Sequence, residues 1–175
     1  MHKKLLNLFY FVVMIVILIG VIRVMNWVPA ALQEGALKKY KSIEEVKSTL
    51  QIREIYVPSY FPQYFTWPPS EILAQTKPFV AVHMTFRRVD TGDIALIISQ
   101  TSNNGTFSGR KIPIAQVKEK VRYSLKGRDA MLEVGECKNG EPCSQISWNE
   151  GKYLFTVSMK SAPFDLIKLA DSMIH

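Results

Sequence analysis

The sequence predicts an α+β domain behind one membrane-spanning helix, and three observations carry that prediction. Leu5 to Ile22 is an uncharged apolar run of eighteen residues in which Asn7 is the single amide. Downstream, short segments alternate apolar and polar side chains and are separated by turns containing Gly or Asn, the pattern of antiparallel strands. Two stretches with helical spacing, near Ile43 and near Phe164, bracket those strands. The expected architecture is an N-terminal transmembrane helix, then an antiparallel sheet of six or so strands packed against an N-terminal and a C-terminal helix.

The apolar run is just long enough to span a bilayer, which takes about 20 residues. His2, Lys3 and Lys4 precede it, and Arg23, Asn26 and Trp27 follow. The basic start opposes translocation, so residues 26–175 are expected outside the membrane and the N-terminus inside. Lys38, Lys39 and Lys41 weaken that bias. The alternative is a cleaved signal peptide with small residues around Val28-Pro29-Ala30. The run is longer than the usual apolar core of such a peptide, about 7 to 15 residues. The expected organisation is an anchor over 1–25, a juxtamembrane stalk over 26–42 and an extracytoplasmic domain over 43–175. The expected location is the bacterial inner membrane in a single pass, or secretion if the leader is removed.

Ser42-Ile43-Glu44-Glu45 matches a capping box, with Ser42 as N-cap and Glu45 at the third helical position. Ile43, Val46 and Leu50 then recur at helical spacing. Ile55 to Val57 reads as a short strand ended by Pro58. Phe79 to Val89 alternates, with Val80, Val82, Met84 and Phe86 on one face and Ala81, His83 and Thr85 on the other. Thr91-Gly92-Asp93 turns the chain into a returning strand, Ile94 to Gln100. Val121 to Leu125, Ala130 to Glu136, Gln145 to Trp148 and Tyr153 to Met159 complete the expected strands. Ser161 is the expected cap of a final helix, Phe164 to Ile174, with Leu166, Leu169, Ala170 and Met173 on its apolar side.

Cys137 and Cys143 flank Lys-Asn-Gly-Glu-Pro, which is turn chemistry. In an exported domain such a pair is most simply a disulfide across a hairpin tip. A zinc site would need two further ligands, and no histidine lies nearby. A redox dithiol usually has closer spacing.

Charge narrows the function classes. Of the 22 basic residues, Lys3, Lys4 and Arg23 flank the apolar run, so 19 basic and 15 acidic residues remain, a net of about +4. That mild excess suits a solvated or membrane-facing surface and is not a nucleic-acid signature. No nucleophile elbow, zinc-protease motif, phosphate loop or dinucleotide fingerprint is present. His2 and His175 are terminal, and His83 on a strand reads as structural. No catalytic activity, cofactor or metal is expected.

The most unusual segment is Pro58 to Ser70, with four prolines and five aromatic residues in thirteen positions. Prolines prevent regular pairing, and rings at this density need cover or a partner. Tyr60, Phe61, Tyr64, Phe65 and Trp67 are the candidate binding residues, for a protein, peptide or lipid of the cell envelope. The bland alternative is that these rings plug the open end of the sheet.

Several stretches resemble a domain of unknown function found in bacterial exported proteins. They are Val57-Pro58-Ser59-Tyr60-Phe61-Pro62, Gly127-Arg128-Asp129-Ala130, Ile146 to Phe155, and Leu166 to Met173, with Val82 to Phe86 and Ile94 to Gln100 as its central hairpin. The resemblance covers residues 43–175. It implies a curved, half-barrel-like sheet of the lipoprotein-carrier and sigma-factor-regulator type. Family members often belong to membrane-bound anti-sigma factors. Here Pro62 is followed by Gln63-Tyr64-Phe65 rather than by the family's Glu-Gly-aromatic continuation, and four residues before the apolar run leave no room for a cytoplasmic sigma-binding module. The expected function is therefore a non-catalytic, membrane-anchored binding or sensor module. The alternatives are an accessory scaffold subunit of an envelope complex and an enzyme of an unrecognised kind.

Overall fold

The computed structural model describes residues 10–23, 37–102 and 111–174. The chain forms two compact units, Met1–Leu37 and Lys38–His175. In the first, residues 10–23 form helix α1, whose apolar side chains lie exposed. Among the described residues no helix is long and apolar enough to cross a membrane. Residues 5–9 of the expected span, and most of the expected stalk, lie outside the described residues.

The second unit is α+β. Among the described residues it contains strand β1 (Lys38–Tyr40), helix α2 (Ile43–Leu50), β2 (Glu71–Gln75), β3 (Ala81–Arg87), β4 (Ile94–Ser102), β5 (Ile114–Leu125), β6 (Arg128–Cys137), β7 (Pro142–Glu150), β8 (Tyr153–Met159) and helix α3 (Pro163–Ser172). The strands form one open antiparallel sheet in the order β1-β2-β3-β4-β8-β7-β6-β5. Most neighbours are consecutive hairpins, as short connections favour. β8 breaks the meander by returning between β4 and β7, which sends β5 to the far edge.

Alternation determines which face is the core. Tyr40, Ile72, Met84, Ile98, Val157, Ile146, Leu132 and Val121 are successive register partners, one from each strand. This apolar row crosses the whole sheet and lies in a single core cluster with Ile43 and Val46 of α2 and Leu166, Leu169 and Ala170 of α3. Burying each such side chain contributes about 1.5–3 kcal/mol. The opposite face carries a smaller cluster of Ile97, Ile112, Cys137 and Cys143.

Local chemistry accounts for the element ends. Ser42 Oγ accepts the Glu45 N–H at 3.1 Å, and the Glu45 carboxylate accepts the Lys41 N–H at 2.7 Å. The capping box therefore closes, with its return bond displaced by one residue. Lys126 and Gly127 both have positive φ, 46° and 80°, at the β5–β6 turn, where glycine is the low-strain choice. Cys137 and Cys143 form a disulfide, with Cα atoms 5.4 Å apart, at the tip of the β6–β7 hairpin.

Four expectations are corrected. Lys38–Tyr40, assigned to the stalk, is a strand paired with β2, so the folded unit begins at Lys38. Ile55–Val57 is not a strand. Both edges of β4 are occupied by β3 and β8, so the 54–56 backbone bonds to a side chain instead. The buried Gln100 amide donates Nε2–H to Glu54 O at 2.7 Å and accepts the Tyr56 N–H at 3.2 Å. Ser161 does not cap α3. The N-cap is Ala162, without a side-chain bond, and Pro163 opens the helix, where its missing N–H is harmless. β2 was not anticipated, and the strands number eight rather than six or so.

Candidate functional site

Prolines keep Pro58 to Ser70 out of the sheet, and three sets of bonds hold it in place. Ser59 N–H and Oγ–H both donate to Ser172 O, at 3.5 and 3.1 Å, and the Ser172 hydroxyl, which donates to Leu169 O at 2.7 Å, lies 3.4 Å from Tyr60 O. Those bonds tie the segment's start to the end of α3. Further along, Thr66 N–H donates to Arg87 O at 2.8 Å and Val89 N–H donates to Tyr64 O at 3.0 Å. Phe65 forms an isolated bridge with Arg88, and Ser70 N–H donates to Thr85 O at 2.8 Å. The segment thus spans the end of β3 and the side of α3.

The same backbone sends its rings two ways. Phe65 is 4% exposed and joins the core; this corrects its assignment as a surface contact. Phe61 is half-buried, with its centroid 5.3 Å from Trp67 and 4.9 Å from Phe86. Trp67 stacks 6.0 Å from Phe86, yet remains 53% exposed. Tyr60 and Tyr64 are 40% and 38% exposed. The Trp67–Pro68 and Lys77–Pro78 peptide bonds are cis.

Tyr64 is fixed by its hydroxyl, which donates to Asp165 Oδ2 at 2.5 Å. Burial, followed by that hydrogen bond and the Asp165 charge, pushes the phenol well above its ordinary range. Tyr64 therefore stays protonated and donating throughout the physiological range.

The large exposed apolar side chains of the folded unit, among the described residues, are Tyr60, Tyr64, Trp67, Val89, Val117 and Phe164. All but Val117 belong to this end. Val89 is joined to Tyr64 through the backbone, and Phe164 precedes the Asp165 that holds the Tyr64 hydroxyl. Sequence reasoning missed Val89, Phe164 and the Phe86 platform. Val89 read as the last position of an alternating strand, and Phe164 as the start of an amphipathic helix. Neither pattern says that the position faces solvent beside a proline-rich segment.

Both arginines beside the segment are held within the β3–β4 hairpin. Arg88 makes a two-pronged contact with Asp90, Nε to Oδ1 at 3.0 Å and Nη2 to Oδ2 at 2.8 Å. Arg87 Nη1–H donates to Gly92 O at 2.6 Å. His83 lies elsewhere, on β3, buried, with Nδ1 2.7 Å from Ser99 Oγ. Burial pushes its pKa down to about 4. Among the described residues no group of three or more His, Cys, Asp or Glu side chains is placed to hold a metal ion. The aromatic end presents the partly exposed rings of Tyr60, Tyr64 and Trp67.

Comparison with known protein families, curated proteins and solved structures finds no match.

Proposed function

We propose that this chain is a membrane-anchored, non-catalytic binding module, held by residues 5–22 and displaying its folded unit outside the bilayer. Its contact surface is Tyr60, Tyr64 and Trp67, flanked by Val89 and Phe164. One observation carries the reading: five of the six large exposed apolar side chains of the folded unit gather at this end. Aromatic anchors dominate interaction hot spots, and holding them in place beforehand lowers the ordering cost of binding. The anchor rests on the uncharged run from Leu5 to Ile22.

The core itself favours surface contact. Met84, Phe86, Leu96, Ile98, Ile146 and Met159 are fully buried against one another and the helices. That burial favours a module that binds through its outer surface over one that encloses an apolar ligand.

The test is photo-crosslinking from position 67 in the full chain, in its native membranes, with Val117 as an exposed apolar control away from this end. Adducts from 67 and none from 117 are expected. Equal labelling from both positions, or none from 67, contradicts the reading.

A further inference from the structure

We infer that the aromatic end rests in the headgroup layer of the bilayer that holds the anchor; this deepens the proposed function and depends on it. Three observations converge. First, the rings are of the interfacial kind: Trp67, Tyr60 and Tyr64 combine an apolar body with a polar tip, and Phe164 and Val89, 77% and 64% exposed, add purely apolar surface. Trp and Tyr concentrate where hydrocarbon meets water for that reason.

Second, local charge neither drives nor opposes contact. Arg87 and Arg88 share the β3–β4 hairpin with Asp90 and Asp93, and Asp165 beside Tyr64 adds a single negative charge, so this end carries no strong charge of either sign. A strongly basic protein partner or a strongly acidic one would find no complement there, while a headgroup layer needs none. Shallow insertion then scales with apolar area.

Third, the tether is long enough. Lys38 pairs with Ala74, which pairs with Val82, five residues before Arg87. At about 3.3 Å per residue that places the start of β1 roughly 17 Å from the aromatic end. Residues 24–37 separate α1 from Lys38, and fourteen residues reach at most about 50 Å when fully extended. The folded unit can therefore turn its aromatic end to the membrane that its own N-terminus enters.

The experiment uses the full chain reconstituted into zwitterionic phosphatidylcholine vesicles whose acyl chains are brominated near the headgroup. Tryptophan emission is compared between the wild type and Trp67→Phe, a conservative change that leaves Trp27 and Trp148 in both proteins. The expected result is a bromine-dependent loss of emission in the wild type that Trp67→Phe lacks, unchanged at high salt. Equal loss in both proteins, with the Trp67 emission quenched by acrylamide in the water, overturns the lipid contact and leaves the surface to a protein partner. Failure of the chain to float with the vesicles overturns the anchor, and the lipid contact with it.

Discussion

His83 sits in the middle of β3, 3% exposed, with Nδ1 against Ser99 Oγ. Its folded pKa of about 4 lies below the ordinary 6.5 because burial disfavours the imidazolium. As pH falls, the unfolded chain takes up the proton first. The stability is intact above pH 6.5 and is lost progressively down to about pH 4, by on the order of 3 kcal/mol. Urea midpoints between those pH values should fall in the wild type and stay nearly level in His83→Gln; parallel curves contradict the assignment. Gly135 makes a second residue-scale claim. A Cβ there would meet Gln116 O at 2.0 Å and Ile114 Cγ2 at 2.7 Å, where β5 shifts register against β6. Gly135→Ala must displace strand backbone, so it should destabilise by about 1–3 kcal/mol, the usual range for overpacking. An unchanged denaturant midpoint would sink that account. Neither effect was legible in the sequence, because alternation shows which face a side chain takes and not how closely a neighbouring backbone approaches.

Elements with local signals were read well. The α2 cap was visible because Ser42 and Glu45 act within one turn. The β6–β7 hairpin was visible because its turn residues and cysteines are contiguous. The stretches behind the family resemblance prove to be fold chemistry as well. Trp148 stacks on Phe155 at 5.2 Å across β7 and β8, and Gly151 turns between those strands with φ of 56°. β1 was missed because Lys38-Lys39-Tyr40 has no strand pattern of its own; pairing with β2 imposes the conformation. Ile55–Val57 resembles a strand in sequence because the partner of the 54–56 backbone, Gln100, is more than forty residues away. The disulfide supplies the element-scale prediction. Cys143 is fully buried and Cys137 nearly so, and closing this short loop contributes on the order of 2 kcal/mol. Reduction should lower the denaturant midpoint accordingly while the far-ultraviolet circular dichroism of the folded baseline persists. Collapse of the sheet signal under native conditions would contradict a locally acting bond.

At the scale of the whole molecule, fold class was legible and strand order was not. Periodicity within each segment specifies strand or helix, but nothing local says that β8 returns between β4 and β7. The candidate site was half legible for a related reason. Composition marked the proline and aromatic segment, whereas its division into core and surface depends on how it crosses β3 and α3. The proposed topology predicts that protease added to spheroplasts digests residues 26–175, and full protection would reverse it. The central claim is that one segment serves the fold through Phe65 and the outside through Trp67. Thermal melting of the full chain carrying each alanine substitution tests it most directly. Phe65→Ala should cost about 3–5 kcal/mol, as buried Phe does, and lower the melting temperature by on the order of 10 °C. Trp67→Ala should lower it by about 3 °C or less, since half of that ring is already in water. If Trp67→Ala melts as low as Phe65→Ala, the rings belong to the core together and the surface is not a site.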